Sequence, residues 1–237
     1  IVYKASPMEN AYGRPFVDFR TGEILSCHIA VFHSVFDMLC QWYIAQTGES
    51  EEEFPDELAG RLLEMVVSHE VGHVLGLTHN FYGSSLCETE QLRDAVFLHR
   101  HGYGSSIMDY MRMNYAVQPE DGVDMSDLIP RIGAYDSLAI EWGYRYFPGL
   151  ASEEIQEKLS VWIEKKQLER KYRFQDSGGN LPEAQAEDLG RYSLETAELG
   201  MCHLKRLLRD TLRNNGRLSV ESWNLAIRKQ YSEYINQ

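Results

Sequence analysis

The stretch from residue 69 to residue 79 contains residue types that bind metal ions, at a spacing that suits one ion. It reads H-E-x-x-H-x-x-G-x-x-H. His69 and His73 are four residues apart, so on a helix both imidazoles project from one face and can bind the same ion. Gly76 gives the backbone freedom to end that helix, and we expect a left-handed conformation there, after which His79 can supply a third nitrogen. Three protein ligands and one open position are typical of a catalytic zinc site.

Glu70 stands one residue after the first histidine, which places its carboxylate about 100° further round the helix. From there it is expected to reach a water molecule held on the metal and not to join the ligands. Glu70 is therefore predicted to be a general base that takes a proton from this water and passes it to the leaving group. A bare H-E-x-x-H can arise by chance in a helix rich in His and Glu, but the added Gly and third His favour a zinc site.

The composition is that of a globular protein with a core and excludes some partners. Of the 237 residues, 43% are apolar and 25% are charged, which is ordinary for a folded domain. The net charge of −13 argues against a nucleic-acid partner, because phosphate binding needs a basic surface. No apolar run approaches the ~20 residues that a membrane helix needs, so we expect no membrane insertion by this segment.

The cysteines give no second metal site. Cys27, Cys40, Cys87 and Cys202 are scattered and form no C-x-x-C pair, which leaves up to two disulfides or free thiols open. The chain starts at Ile1 with neither a Met nor a signal peptide. We therefore expect it to be part of a longer protein, whose other segments are its partners.

The elements that must position the motif can be predicted from hydrophobic spacing. Residues 7–15 are expected to form a loop, residues 23–32 a strand and residues 34–45 a helix that stops at Gly48. The helix that carries the motif is predicted to begin at Pro55-Asp56. Leu58, Leu62 and Val66 continue the stripe of His69 and His73 along it, so the helix should bury an apolar face and present the ligands at its end.

The rest of the chain is predicted to be mainly helical. Asp136 is well placed to cap a helix that closes the first unit near Pro148. His99 and His101 have no partner at ligand spacing and are expected at the surface, whereas Cys202 and His203 are expected to pack in the core or at the surface. The further helices are expected at residues 88–99, 136–146, 152–170, 194–212 and 220–235.

Met108 follows the histidine motif by about thirty residues, in the run S-S-I-M-D-Y. An extended zinc motif followed by a methionine in a turn is the pattern of the metzincins, and this sequence is similar to it. In that family the methionine lies beneath the metal ligands as an apolar floor. Tyr110 stands two residues later, where a tyrosine of the astacin and serralysin branches ligates zinc and moves to the transition-state oxyanion. By resemblance Tyr110 is a candidate for that role, and a packed aromatic side chain carries equal weight.

A closer resemblance is to a bacterial family of zinc-dependent metalloproteases named Met-zincin, found as domains of large exported proteins. It extends from about residue 15 to residue 210. The strings that carry it are VDFRTGEI (17–24), HNF (79–81), SIMDYMR (106–112), PRIG (130–133) with YD (135–136), and EDLG (187–190).

The resemblance implies an α+β fold. A metzincin-like zinc protease domain, with a small mixed sheet and an active-site helix, would span residues 1–148, and a mainly helical extension would span residues 149–237. Metzincin domains usually have further strands and a helix before the edge strand, and too few residues precede it here. The resemblance therefore implies either that these elements lie outside this segment or that another segment completes the domain. The strand at residues 23–32 would form the upper rim of the cleft and pair with an extended substrate.

The resemblance also implies a Zn²⁺ cofactor, a peptide or protein substrate and a location outside the cytoplasm, whether periplasmic, cell-surface or secreted. The function expected is that of a zinc-dependent metalloendopeptidase. One alternative is a catalytically silent module that keeps zinc and binds a peptide or partner, and another is a zinc hydrolase of non-peptide amides. Inactive metzincin relatives often lose the glutamate, so the presence of Glu70 favours the peptidase.

Overall fold

The computed structural model describes residues 1–176 and 181–213, with side chains as far as residue 210. Within this part of the chain, three strands and six α-helices form an α+β fold, so the predicted fold class and small mixed sheet are confirmed. The helix expected at residues 220–235 lies outside the described residues. The elements are β1 (Val2–Lys4), β2 (Ala11–Val17), β3 (Ile24–Phe32), α1 (Val35–Thr47), α2 (Asp56–Val74), α3 (Ala95–His101), α4 (Ala134–Tyr144), α5 (Ser152–Lys166) and α6 (Ser193–Arg213).

The sheet has the order β1-β3-β2, which makes β3 its central strand. β3 pairs with β1 in parallel and with β2 antiparallel. β2 accompanies β3 over residues 24–31, whereas β1 pairs with it only at residues 30–32. The strand expected at residues 23–32 is thus confirmed, and its position at the rim of the cleft stays a prediction. The loop predicted for residues 7–15 was wrong in its second half, where β2 begins.

β2 was not predicted because it contains two residues that usually interrupt strands. Gly13 weakens the strand pattern, and Pro15 lacks an amide hydrogen for a ladder. Proline is tolerated in an edge strand, where its nitrogen need not donate to a neighbour. β2 is such a strand, and Gly13 has a further use. A Cβ atom at Gly13 would overlap the backbone carbonyl of Glu70, so glycine allows β2 to lie directly against α2.

α2 begins and ends as its sequence predicts. Pro55 is its N-cap, and Asp56 and Glu57 in the first turn favour the positive end of the helix dipole. At the other end Gly76 has φ of 90°, so the expected left-handed conformation is confirmed. The Gly76 amide donates to the carbonyl of residue 73 at 3.0 Å, and the Leu77 amide donates to that of residue 72 at 3.0 Å. This is the Schellman pattern, which satisfies the last carbonyls and reverses the chain.

The core holds α1 and α2 against the sheet. Leu39 of α1 and Leu62 of α2 are completely buried, and Val31 of β3 belongs to the same apolar cluster. Burial of this face fixes the rotation of α2 about its axis, since the apolar stripe must face inward. His69 and His73 lie at the carboxyl-terminal end of this stripe, so their positions are fixed as well.

Two of the predicted helices begin elsewhere. The helix expected at residues 88–99 is shortened to α3, because the Asp94 carboxylate accepts from the amides of Val96 and Phe97 and starts the helix there. Asp136 is not the N-cap of α4. It lies in the first turn, and its carboxylate accepts from the amide of the N-cap residue Gly133 at 2.7 Å.

Residues after 170 contact the part of the chain that carries the motif. The Phe81 amide donates to the carbonyl of Gln175 at 2.9 Å, and the Gly190 amide donates to that of Ser84 at 3.0 Å. His203 is buried and bonds through Nε2 to the carbonyl of Gln46 at 2.8 Å. The division into two units at residue 148 stays a prediction. Among the described helices, none is both long and apolar enough to cross a membrane.

Two alanine substitutions test the packing of β2 on α2. Gly13→Ala should lower the free energy of unfolding by about 1–3 kcal/mol, because the new methyl group meets backbone and not a flexible side chain. Gly60→Ala, within α2 and facing open space, should raise it by about 0.5–1 kcal/mol. Urea denaturation of both variants measures the difference. Equal stability of the two variants would contradict the close approach at Gly13.

Candidate metal centre

The three histidines of the motif lie together. The ligand nitrogens of His69, His73 and His79 are all within 4.8 Å of one another, and the Nε2 atoms of His73 and His79 are 3.2 Å apart. In a tetrahedral site with Zn–N bonds of ~2.0–2.1 Å, two ligand nitrogens are about 3.3 Å apart. The spacing of His73 and His79 therefore fits one zinc ion, and a nitrogen of His69 lies within 4.8 Å of both.

Hydrogen bonds orient two of these rings. Nδ1 of His69 lies 2.8 Å from the carbonyl oxygen of Ile107, and Nδ1 of His73 lies 2.9 Å from that of Leu77. A carbonyl oxygen can only accept, so each Nδ1 must carry the hydrogen. A neutral imidazole then has its lone pair on Nε2, which is the state that binds a metal.

Burial favours the neutral form of His69 and His79. The pKa of His69 is lowered to about 4, mainly by burial, with the Ile107 hydrogen bond opposing this and the neighbouring histidines adding to it. Burial also lowers the pKa of His79. At neutral pH both rings are unprotonated, so a metal ion does not compete with protons for their nitrogens.

Glu70 lies in the wall of the same cavity as the histidines, which has a volume of about 490 Å³. Its side chain is buried, and Oε2 has no hydrogen-bond partner among the described residues. Burial raises the pKa of Glu70, and the proximity of His73 and a hydrogen bond to the Gly13 backbone oppose this. A buried carboxylate oxygen without a partner is rare, and in a cavity it is a site for a donor such as water.

Met108 is completely buried beneath α2. A Cβ atom at Gly72 would overlap its sulfur, so the glycine between the two helical ligands makes room for the thioether. The loop is held by Asp136, whose carboxylate accepts from the Ser106 hydroxyl at 2.6 Å and from the Ile107 amide at 2.7 Å. The methionine thus lies against the helix turn that carries His69 and His73. Its assignment as a Met-turn stays a prediction.

Tyr110 lies over the ligands. Its ring centroid is 4.4 Å from that of His79 and 5.7 Å from that of His69, and the side chain is 44% exposed. Burial raises its pKa, as do the charges of Glu70 and Glu187, so the phenol stays protonated at neutral pH. The observed contact is ring packing, and the catalytic role of Tyr110 stays a prediction.

A pair of buried carboxylates joins this loop to the carboxyl-terminal segment. Asp109 accepts from the Ser84 amide at 2.6 Å, and Asp188 accepts from the Ser84 hydroxyl at 2.7 Å. Burial raises the pKa of Asp109 to about 8 and that of Asp188 to about 6. Sequence reasoning missed these roles and that of Asp136, because a lone aspartate carries no local signal of a partner that is 25 or more residues away.

The histidines outside the motif do not join the cluster. His99 and His101 are exposed, as predicted, and His99 pairs with the buried carboxylate of Asp127 at 3.1 Å. All four cysteines are free thiols, with Cys40 and Cys87 buried and Cys27 and Cys202 exposed. Burial raises the pKa values of Cys40 and Cys87 to about 11 and about 12, so these thiols are poor metal ligands at neutral pH.

Zinc should stabilise the folded chain through the histidine cluster. At a free zinc concentration 100 times the Kd, a ligand that binds only the folded state adds about 2.7 kcal/mol to the free energy of unfolding. Thermal unfolding of the metal-free protein with and without zinc measures the gain. His73→Ala should lose most of it, and His101→Ala, an exposed histidine outside the cluster, should keep it. An undiminished gain in His73→Ala would place the zinc elsewhere.

The carboxylate pair should make the metal-free fold less stable as pH rises. The folded pKa of Asp188, about 6, lies above its ordinary value of 3.8, so the folded state binds more protons between these values. The free energy of unfolding therefore decreases from about pH 4 to pH 6 through this group. Asp188→Asn should gain stability relative to the native chain over that window, as measured by denaturation at several pH values in chelator. A curve for Asp188→Asn that runs parallel to the native curve would refute the assignment.

Comparison with known proteins gives one match. A family model described as Met-zincin matches residues 51–237, which is well over half of the chain and includes α2, the three histidines and Met108. Neither the curated proteins nor the solved structures include a significant match to the chain. The matched residues contain the histidine cluster, which could hold a metal, and the family name implies zinc. The chain belongs to the Met-zincin family.

Proposed function

We propose that the chain is a zinc-dependent metalloendopeptidase in which Glu70 is the general base. The observation that carries the proposal is the unpartnered Oε2 of Glu70, buried in the wall of the cavity that the three histidines also line. A purely structural zinc site has four protein ligands and no need of such a carboxylate. Here three nitrogens converge, and a base lies beside them.

The chemistry divides between the metal and the protein. Zinc, held by His69, His73 and His79, would polarise the substrate carbonyl and lower the pKa of a water to about 7. Glu70 would accept the proton of that water and deliver it to the leaving amine. Burial raises the pKa of Glu70, and a carboxylate with a raised pKa holds a transferred proton better.

Tyr110 is proposed to assist at the oxygen of the scissile carbonyl. Its phenol is protonated at neutral pH because burial raises its pKa, and its ring already packs on His79. A protonated phenol can donate a hydrogen bond to an oxygen that gains negative charge.

The substrate is proposed to bind in an extended conformation along β2. The cavity beside Glu70 is lined by residues 11–13, at the start of this edge strand, and by the two residues before it. Main-chain groups at a strand edge recognise peptides without regard to sequence. The substrate pairing that the resemblance implied for the strand at residues 23–32 is thus proposed for β2, which pairs with that strand.

We also propose that the chain acts outside the cytoplasm, within a longer protein. The resemblance to domains of exported proteases supports this location. Fractionation of cells that produce the native protein, with detection in the periplasmic, surface or secreted fraction, tests it, and a purely cytoplasmic signal would refute it.

Glu70→Gln tests the mechanism. The amide keeps the size of the side chain but cannot take up a proton, so hydrolysis of casein should fall about 10²- to 10⁴-fold while zinc content is unchanged. Glu64→Gln, an exposed residue on the same helix, should retain native activity.

Three results would contradict the proposal. Activity that survives in Glu70→Gln would remove Glu70 from the mechanism, and activity that resists a chelator would remove the metal. Stoichiometric zinc without cleavage of casein or of a peptide library would favour the silent binding module.

A further inference from the structure

We propose that Asn80 is a positioning residue for the third metal ligand, His79, and that it acts by binding the segment 173–175, which lies more than 90 residues further along the chain. The inference deepens the proposed function, because it concerns the metal centre on which that function rests. Its test measures metal binding and not cleavage, so the two proposals can fail separately.

His79 lacks two supports that the other ligands have. His69 and His73 lie on α2, and a backbone carbonyl orients each ring through Nδ1. His79 follows the end of that helix, and among the described residues neither of its ring nitrogens bonds to a backbone carbonyl. Its ring packs on those of Phe81 and Tyr110. The place of the His79 imidazole therefore depends on how firmly the surrounding loop is held.

Asn80 directly follows His79, and its side chain is completely buried. Nδ2 donates to the carbonyl of Arg173 at 3.1 Å, and Oδ1 accepts from the amide of Gln175 at 3.0 Å. Oδ1 also accepts from the amide of Tyr82 at 3.3 Å. One side chain thus joins the loop that contains the third ligand to a distant part of the chain.

The backbone of Asn80 binds the same loop to the Met108 loop beneath α2. Its amide donates to the carbonyl of Met108 at 3.1 Å, and its carbonyl accepts from the amide of Gly83 at 2.9 Å. The Cα atoms of consecutive residues are about 3.8 Å apart, so a displacement of Asn80 carries the backbone of His79 with it.

The segment 173–175 is held from two sides. On one side it bonds to Asn80, and the Phe81 amide donates to the carbonyl of Gln175 at 2.9 Å. On the other side the ring of Phe174 stacks on that of Tyr135 in α4, with the ring centroids 5.7 Å apart. The contact with α4 does not involve Asn80, so it offers a second way to disturb the segment.

Loss of the Asn80 side chain would release this contact. The carbonyl of Arg173 and the amide of Gln175 would lose their partner and would have to move to reach water. A loop that has lost this support no longer holds His79 at the distance that zinc requires. Groups that orient a metal ligand without binding the metal typically contribute about 10- to 100-fold to metal affinity.

Asn80→Ala tests the role of the side chain. Its affinity for zinc, measured by competition with a chelator, should be about 10- to 100-fold weaker than that of the native chain. The visible absorption of the Co²⁺-loaded chain, which depends on the arrangement of the ligands, should change as well. A native zinc affinity or an unchanged Co²⁺ spectrum in Asn80→Ala would overturn the proposal.

Asn114→Ala is the matched control. Asn114 is also completely buried, and its side chain donates to the carbonyl of Leu92 at 2.8 Å and accepts from the amide of Ala116 at 3.2 Å. Both variants should lose stability when they are denatured in chelator, but only Asn80→Ala should lose zinc affinity. An equal loss of zinc affinity in both would reflect a general weakening of the fold and would overturn the proposal.

Phe174→Ala tests the segment without changing Asn80, so the proposal stays testable if Asn80→Ala does not fold. The Phe174 side chain is 39% exposed, and its loss should leave the fold intact. Zinc affinity should fall several-fold, because the segment loses its contact with Tyr135. Phe19→Ala, at an exposed position between β2 and β3, should keep the native affinity. A native affinity in Phe174→Ala would overturn the role of the segment.

The outcomes separate this proposal from the peptidase function. If zinc affinity depends on Asn80 but the zinc-loaded native chain cleaves no peptide, the positioning role stands and the peptidase function fails. If the native chain cleaves casein and Asn80→Ala binds zinc as tightly as the native chain, the peptidase function stands and the positioning role fails.

Discussion

The convergence of three imidazole lone pairs is the constraint on which the rest of the structure depends. Each helical ligand is oriented by one backbone carbonyl, that of Ile107 for His69 and that of Leu77 for His73. Leu77 belongs to the turn that ends α2 and leads to His79, and Ile107 immediately precedes Met108. The turn that leads to His79 and the loop that contains Met108 thus also orient the two helical ligands. A shift in the turn would move His79 and release the His73 ring, and a shift in the loop would move Met108 and release the His69 ring.

This arrangement requires several polar groups to be buried. Asp136 accepts from backbone and hydroxyl groups of the Met108 loop. Asp109 accepts from the amide of Ser84, and Asp188 accepts from its hydroxyl. Burial raises the pKa values of all three carboxyl groups, which reflects the cost of removing charge from water. In return the loop beneath α2 is fixed by directional bonds that apolar packing alone does not provide.

The features that the sequence predicted are those set by local spacing. The span of α2, the left-handed Gly76 and the common face of His69 and His73 follow from helical periodicity and end signals, and the structure brings His79 to the same place. β2 was missed because Gly13 and Pro15 are typical of turns and interrupt the alternation of apolar and polar residues. Both nevertheless suit an edge strand that lies against a helix. Asp188 and Glu187 could not be predicted, since their partners Ser84 and Arg112 are 104 and 75 residues away.

X-ray absorption at the zinc edge of the purified, zinc-loaded chain tests whether His69, His73 and His79 bind zinc together. We predict one zinc per chain with three imidazole nitrogens at about 2.0–2.1 Å, and an oxygen ligand that completes the coordination. His79→Ala should remove one of the three imidazole contributions. A shell that contains sulfur at about 2.3 Å, or a spectrum that is unchanged in His79→Ala, would contradict it.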